Sequence, residues 1–211
     1  MSTSRSYGDL CPIARALDAI GERWALLVVR ELLLGPQRFS DLRRALLGVS
    51  SNMLTDRLRE LEGRGLVRRR TLPPPAGSSV YELTERGREL EPLLDALGAW
   101  GSAEPAPEGG SLTATSVLLF LRGSARAHPD PPTETYRLQL DDRVWTVANR
   151  SGRVEVEPED TAPADASFHA DPSTLNGLLL DPAGLDAAIA AGSVRVDGDM
   201  AALRRLLQVA A

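Results

Sequence analysis

Few residues in this chain could do covalent chemistry. Its 211 residues include one cysteine, Cys11, two histidines, His128 and His169, and no lysine, so all 24 basic residues are arginine. Without lysine there is no Walker-type phosphate loop, no Schiff-base enzyme, no Ser-Lys hydrolase and no kinase-type site. One cysteine excludes an internal disulfide and any zinc site built on two or four cysteines. The histidines lie far apart in sequence, and His169 with Ser167 and Asp171 shows strand alternation rather than triad spacing. No glycine-rich dinucleotide fingerprint follows a strand. A protein that is not an enzyme, with no metal and no cofactor, is expected.

Arginine is what remains, and it is unevenly placed. Residues 1–101 hold 15 arginines against 13 acidic residues, whereas residues 102–211 hold 9 against 16. Within 38–70 there are 9 arginines against 4 acids. A basic patch in a chain of net charge −5 reads either as an anion-binding face or as solvated surface with chance clustering. The halves meet at residues 102–111, SAEPAPEGGS, which has nothing to bury and reads as a linker between domains at 1–101 and 112–211. The longest nearly apolar run, Trp24 to Leu34, is broken by Arg30 and Glu31 and falls short of the roughly 20 residues of a membrane span. The N-terminus lacks an apolar signal core. A cytoplasmic protein with no membrane partner is expected.

Period and punctuation give the elements that would position the arginines. Cys11-Pro12 opens a helix with Ile13, Ala16, Leu17 and Ile20 at helical spacing, closed by Gly21. Trp24 to Leu34 is apolar almost all round, a buried helix stopped by Gly35-Pro36. Ser40 is placed to cap a third helix, Asp41 to Leu47, and Ser50 or Ser51 a fourth, running to about Glu62. On the fourth helix Leu54, Leu58 and Leu61 share one face; Asn52, Asp56 and Arg59 lie opposite, with Thr55 beside them. Two short helices across a tight glycine-containing turn form a helix-turn-helix, whose second helix enters the major groove N-terminus first. Residues 66–72 and 80–83 read as two strands around a Pro/Gly turn, a hairpin with arginines on its stem and the wing of a winged helix. Thr84 caps a helix through Trp100, and Pro92 must kink or break it.

The segments CPIARALDAIGERWALLVVRELLLGPQRFSDLRRAL, SSNMLTDRLRELEGRGLVRRR and VYELTERGREL resemble the HxlR-type winged-helix transcriptional regulators over about residues 9–101. That resemblance implies a homodimer on a double-stranded DNA operator, with N- and C-terminal helices of the domain pairing across a two-fold axis. It assigns the stripe Leu90, Leu93, Leu94, Leu97 and Trp100 to the dimer interface, together with the first helix; packing inside one subunit is the alternative for the stripe. Helical wheel and resemblance together nominate Ser51, Asn52, Thr55 and Arg59 for base edges or adjacent phosphates, since Asn suits adenine and Arg guanine. Ser40, Arg43 and Arg44 sit on the helix that crosses the DNA backbone. Arg68, Arg69 and Arg70 are wing residues, because arginine suits phosphates and narrow minor grooves. Alternation aims Arg69 away from its neighbours, and one of the three can pair with Glu82 instead. Asp56 could accept from cytosine, orient Arg59 or repel phosphate. Cys11 lies near a helix N-terminus with Arg15 one turn on, surroundings that favour a thiolate. The resemblance adds a thiol-sensing role for it; the alternative is a small apolar residue at an interface.

The second half changes period. Leu112 to Ala127 fits a helix capped by Ser111 or Thr113, although TSVLLFL alone could be a strand. Strands follow at 136–140, 143–148, 153–157 and 166–170, then helices at 172–180 and 182–191, a short strand at 194–196 and a helix at 199–209. The fold class is α+β: a winged helix-turn-helix domain plus an antiparallel sheet covered by helices on one side. FHADPSTLNGLLLDPAGLDAAIAAGSVRVDGDMAALRRLL resembles the end of a sterol-carrier-protein type 2 domain, and the likeness spans about residues 130–209. It implies an apolar tunnel between sheet and helices that takes up a lipid or another apolar small molecule, but it carries over no binding residue. Phe120, Trp145, Phe168, Leu178 and Leu179 are lining candidates, with plain core as the alternative.

The sequence thus points to a dimeric, sequence-specific DNA-binding regulator, expected to repress, whose C-terminal domain senses a hydrophobic molecule. One alternative is a lipid carrier or storage module joined to constitutive DNA binding. Another is a C-terminal domain that only offers a packed partner surface.

Overall fold

The computed structural model describes residues 6–73, 77–107, 109–127, 133–150, 153–158 and 163–209. His128 and residues 74–76 of the expected wing turn lie outside them. The chain divides into two units, Met1–Pro105 and Ala106–Ala211.

The first unit runs α1 (Pro12–Ile20), α2 (Ala25–Leu32), α3 (Phe39–Ala45), α4 (Ser51–Gly63), β1 (Val67–Thr71), β2 (Ser79–Leu83), α5 (Glu85–Arg88) and α6 (Glu91–Gly101). The apolar run that begins at Trp24 forms α2 one residue later, because Trp24 itself turns left-handed at φ 78°. Val28, Val29 and Leu32 of α2 are buried with Leu42 of α3 and Leu54, Leu58 and Leu61 of α4. Of the two capping serines, Ser50 is used: its Oγ accepts from Met53 N at 3.2 Å. Ser40 is not a cap. The helix starts earlier, at Phe39, and Ser40 lies in its first turn with its hydroxyl 3.3 Å from Asp41 Oδ1. The cause is tertiary: Gln37 is pinned as an isolated bridge to Tyr81, exchanging backbone hydrogen bonds of 2.9 and 2.8 Å, so the chain turns into helix directly afterwards. Thr84 does cap, accepting from Gly87 N, and Pro92 marks a break between α5 and α6 rather than a kink.

The second unit has α7 (Ala114–Ala127), β3 (Thr135–Leu140), β4 (Arg143–Arg150), β5 (Arg153–Pro158), β6 (Ala166–Ala170), α8 (Pro172–Leu180), a 3-10 turn (Pro182–Gly184), α9 (Leu185–Ala190), β7 (Arg195–Gly198) and α10 (Met200–Gln208). Thr113, not Ser111, accepts from the first turn of α7, at Ser116 N. The sheet order is β5-β4-β3-β6-β7. It is mixed rather than wholly antiparallel: β6 runs parallel to β3, pairing Tyr136 with Ala166 and Leu140 with Ala170. Alternation assigns faces but says nothing of direction, so this reversal was invisible in the pattern. The buried face carries Tyr136, Leu138, Leu140, Trp145, Val147 and Phe168, with Val117, Leu118 and Leu121 of α7, Leu175 and Leu179 of α8 and Leu203, Leu206 and Leu207 of α10. The Tyr136 hydroxyl lies 2.9 Å from Glu134 Oε2 and 3.2 Å from Ala202 O, which ties β3 to α10. Burial, then the Glu134 carboxylate, push that hydroxyl well above its ordinary pKa, so it stays a donor.

Where the wing meets α5 there is no room for a side chain. A Cβ on Gly87 would stand 2.1 Å from the Leu66 carbonyl oxygen. Gly87→Ala is therefore expected to destabilise the first unit by about 1–3 kcal/mol, the range for overpacking, against a helix-propensity gain of about 1 kcal/mol at most. Hydrogen exchange of the α2 and α4 amides reads that loss separately from the second unit; unchanged protection would show that the junction yields freely.

Candidate nucleic-acid interface

The apolar face of α4 is buried, so its other face is presented outward. Asn52, Asp56 and Arg59 are exposed there, and Ser51 and Thr55 are half-buried at its margin. The Asn52 amide has no intramolecular partner among the described residues, leaving both its donors and its acceptor open. The Thr55 hydroxyl donates to Ser51 O at 2.8 Å, so its hydrogen is committed and it can only accept from a base. Arg59 and Asp56 stand 3.9 Å apart with both side chains well exposed. That loose pair is worth at most about 1 kcal/mol, and it leaves Arg59 free to swing. Arg57, on the flank, is 14% exposed and engaged with Glu60 and Glu22, which removes it from the outward set.

On α3, Ser40, Arg43 and Arg44 are all exposed. Arg44 is 3.9 Å from Asp41, while Arg43 has no partner among the described residues. On the wing, β1 pairs with β2 in the register Val67↔Leu83 to Thr71↔Ser79. Sequence alternation left one arginine to pair with Glu82; the structure gives it two. Arg68 Nε donates to Glu82 Oε1 at 2.7 Å and Arg70 Nε to Oε2 at 3.1 Å. Arg69 points to the other face and donates to Ser79 Oγ at 3.1 Å. Burial alone would raise the Glu82 carboxyl, but the hydrogen bonds and charges of Arg68 and Arg70 outweigh it and hold its pKa below the ordinary glutamate value.

The two terminal helices are unusual for their exposure. α6 buries none of its residues: Leu94 is half-buried, as is Leu90 just before the helix, Leu93 and Leu97 are exposed, and Trp100 is 70% exposed. α1 buries only Ile20, leaving Ile13 72% exposed and the preceding Leu10 91%. The helical stripe Ile13, Ala16, Leu17 was legible in sequence, but nothing local told that it faces outward; Leu10 was missed outright. Cys11 is exposed at the N-cap of α1. In the second unit Trp145, Phe168, Leu178 and Leu179 are buried. Phe120 is not among them. α7 turns Val117, Leu118 and Leu121 to the sheet, which leaves Phe120 outside at 42% exposed.

The sign of the Glu82 linkage gives a pH test of the wing. Its folded pKa lies below the unfolded one, so its contribution is complete above about pH 5 and is lost as pH falls below about 4. The protection of the β1 and β2 amides against hydrogen exchange, relative to the intrinsic rate at each pH, is expected to fall in that window. Glu82→Gln should remove the pH dependence; an unaltered profile would mean that the clamp contributes nothing to hairpin stability.

Residues 19–108 match the HxlR-like helix-turn-helix family, and residues 123–211 the SCP-2 sterol transfer family. An HTH-type transcriptional regulator of Synechocystis sp. is 42% identical over 95 residues, 45% of this chain and 70% of that protein. YvaP, an HTH-type transcriptional regulator of Bacillus subtilis, is 38% identical over 98 residues, 46% of this chain and 91% of that one. The solved structure of reduced YodB from B. subtilis is 33% identical, covering 47% of this chain and 100% of that chain at a TM-score of 0.41. No helix among the described residues is long and apolar enough to cross a membrane. With its outward-facing α4, its arginine-bearing hairpin and its likeness to the Synechocystis and YvaP regulators, the chain belongs to the HxlR-like helix-turn-helix family of transcriptional regulators, and its second unit is similar to the SCP-2 sterol transfer family.

Proposed function

We propose that this chain is a homodimeric repressor that reads a two-fold operator through α4 and the wing. In this reading a DNA-binding and dimerisation domain (1–101) is joined by a linker (102–111) to a domain (112–211) that senses a hydrophobic small molecule. The observation that carries it is the outward face of α4, where Asn52 and Arg59 are exposed and unburdened while the opposite face is core. Asn52 and Arg59 contact base edges, with Ser51 and Thr55 beside them; Ser40, Arg43 and Arg44 contact the flanking backbone. Arg69 is the wing's uncompensated charge, because Arg68 and Arg70 are shared with Glu82. Dimerisation covers the exposed leucines and Trp100 of α6 together with α1 and sets two half-sites about one helical turn apart.

The SCP-2 match supports an apolar ligand for the second domain. Such a ligand changes operator affinity only through unequal affinity for the DNA-competent and incompetent states. Typical couplings of about 1–3 kcal/mol would shift operator affinity 5- to 150-fold. A ligand that binds without moving operator affinity would instead give a carrier joined to constitutive DNA binding.

Fluorescence anisotropy on DNA from upstream of the chain's own gene, against random DNA, tests the reading. Asn52→Ala and Arg59→Ala are each expected to cost about 1–3 kcal/mol on the specific DNA and far less on random DNA. Arg69→Ala should weaken both alike and lower the salt slope by about 1. If all three act equally on both DNAs, α4 is not the reading helix. For the dimer, Leu97→Glu combined with Trp100→Glu should give a folded monomer in analytical ultracentrifugation. A variant that still sediments as a dimer would place the interface elsewhere.

A further inference from the structure

The interior of the second unit holds a hydrogen-bond donor with no acceptor among the described residues. Trp145, on β4, is fully buried, and its indole Nε1 has no partner among the described residues. An unpaired buried donor is destabilising in a way that a phenylalanine at the same place would not be. Over the same ring stands a cation: Arg143 Cζ is 4.8 Å from the indole centroid. The register pairs Arg143 with Leu140 and Trp145 with Leu138, both leucines being fully buried, so the two side chains share the apolar face of the sheet. Arg143 is half-buried and has no ion-pair partner among the described residues. The α10 arginines differ in this respect, Arg204 pairing with Asp186 and Arg205 with Glu134.

We propose that Arg143 and Trp145 form the head-group site of the domain's ligand, and that this ligand is an amphiphile with an acidic oxygen head, a carboxylate in the simplest case. The head accepts from Trp145 Nε1–H and from the Arg143 guanidinium; the apolar body lies between the same sheet face and the helices. The guanidinium over the ring draws on its electron density and makes the indole N–H the better donor. A head with no acceptor leaves the buried Trp145 N–H unpaired, and a cationic head also meets the charge of Arg143. This proposal rests on the reading of the second domain as a site for hydrophobic ligands.

The test uses the full chain labelled with 15N at its tryptophans, titrated with dodecanoate and with dodecyltrimethylammonium, equal tails with opposite heads. Dodecanoate is expected to bind at least about tenfold more tightly, the order of one hydrogen bond to a charged group. It should also move the Trp145 indole proton downfield, that signal being assigned by its loss in Trp145→Phe. Arg143→Met, at the half-exposed start of a strand, keeps an apolar stem and should erase the preference without unfolding the domain. Equal binding of both amphiphiles, or a preference that survives Arg143→Met with the Trp145 signal unmoved, overturns the head-group site and leaves the hydrophobic-ligand reading intact. No binding of either overturns both.

Discussion

Leu54, Leu58 and Leu61, at 0%, 1% and 1% exposure, hold α4 by its apolar face, and the interface depends on that anchorage. Each buried leucine contributes about 1.5–3 kcal/mol. Turning the helix by one residue, about 100°, would expose that face and drive Asn52 or Arg59 into the core. No polar contact on the outer side competes: the exposed Asp56–Arg59 pair is worth at most about 1 kcal/mol. Orientation is therefore set entirely from behind, by packing against α2 and β1. The outward positions carry no structural duty, which is what leaves their side chains free to be chosen for recognition.

Charge follows a similar division of labour. The chain is acidic overall, at −5, yet its basic residues gather in 38–70. Net charge is a poor guide to contact chemistry because fields are screened within about 8–10 Å at ordinary salt. A phosphate at the protein surface meets individual arginines. Those arginines are not equivalent. Arg57 is absorbed into the fold, Arg68 and Arg70 are shared with a nearly buried carboxylate, and Arg43 and Arg69 have no carboxylate partner among the described residues. Counting arginines overstates the charge available to DNA; Glu82 spends part of the wing's charge on holding the hairpin together.

How much of this was legible in sequence depended on the range of the determining contact. The two faces of α4 and the cap at Thr84 follow from residues within one or two turns, and period and punctuation revealed them; at Pro92 they left kink or break open, and the structure has the break. Ser40 did not cap because Gln37 bridges to Tyr81, more than forty residues on, and fixes where α3 begins. The direction of β6 was hidden because alternation is the same read either way. Phe120 belongs to an apolar run in which nearly every position could face inward; only the packing of α7 on the sheet decides that Leu118 and Leu121 do and Phe120 does not. The wing arginines were half legible: alternation put Arg68 and Arg70 on one face, but not both on one carboxylate.

Each unit closes its core and leaves something over; an indole N–H with no acceptor among the described residues occurs in both, at Trp24 and at Trp145, but the larger remainders differ in kind. In the first unit it is apolar surface: a helix, α6, with no buried residue, and an α1 that buries only its last one. Apolar side chains gain by leaving water, so another apolar surface would complete them, and in the proposed dimer a second copy of the same helices supplies it. In the second unit the remainder is polar: a buried indole N–H with no acceptor and a half-buried guanidinium with no carboxylate among the described residues, side by side on an otherwise apolar face. Apolar surface cannot complete those; a hydrogen-bond acceptor can, and at the proposed head-group site it arrives attached to an apolar body. The first remainder thus calls for a protein partner and the second for a small amphiphile. Neither demand could be met by the other's partner, which is the physical ground for reading one unit as the assembly module and the other as the sensor.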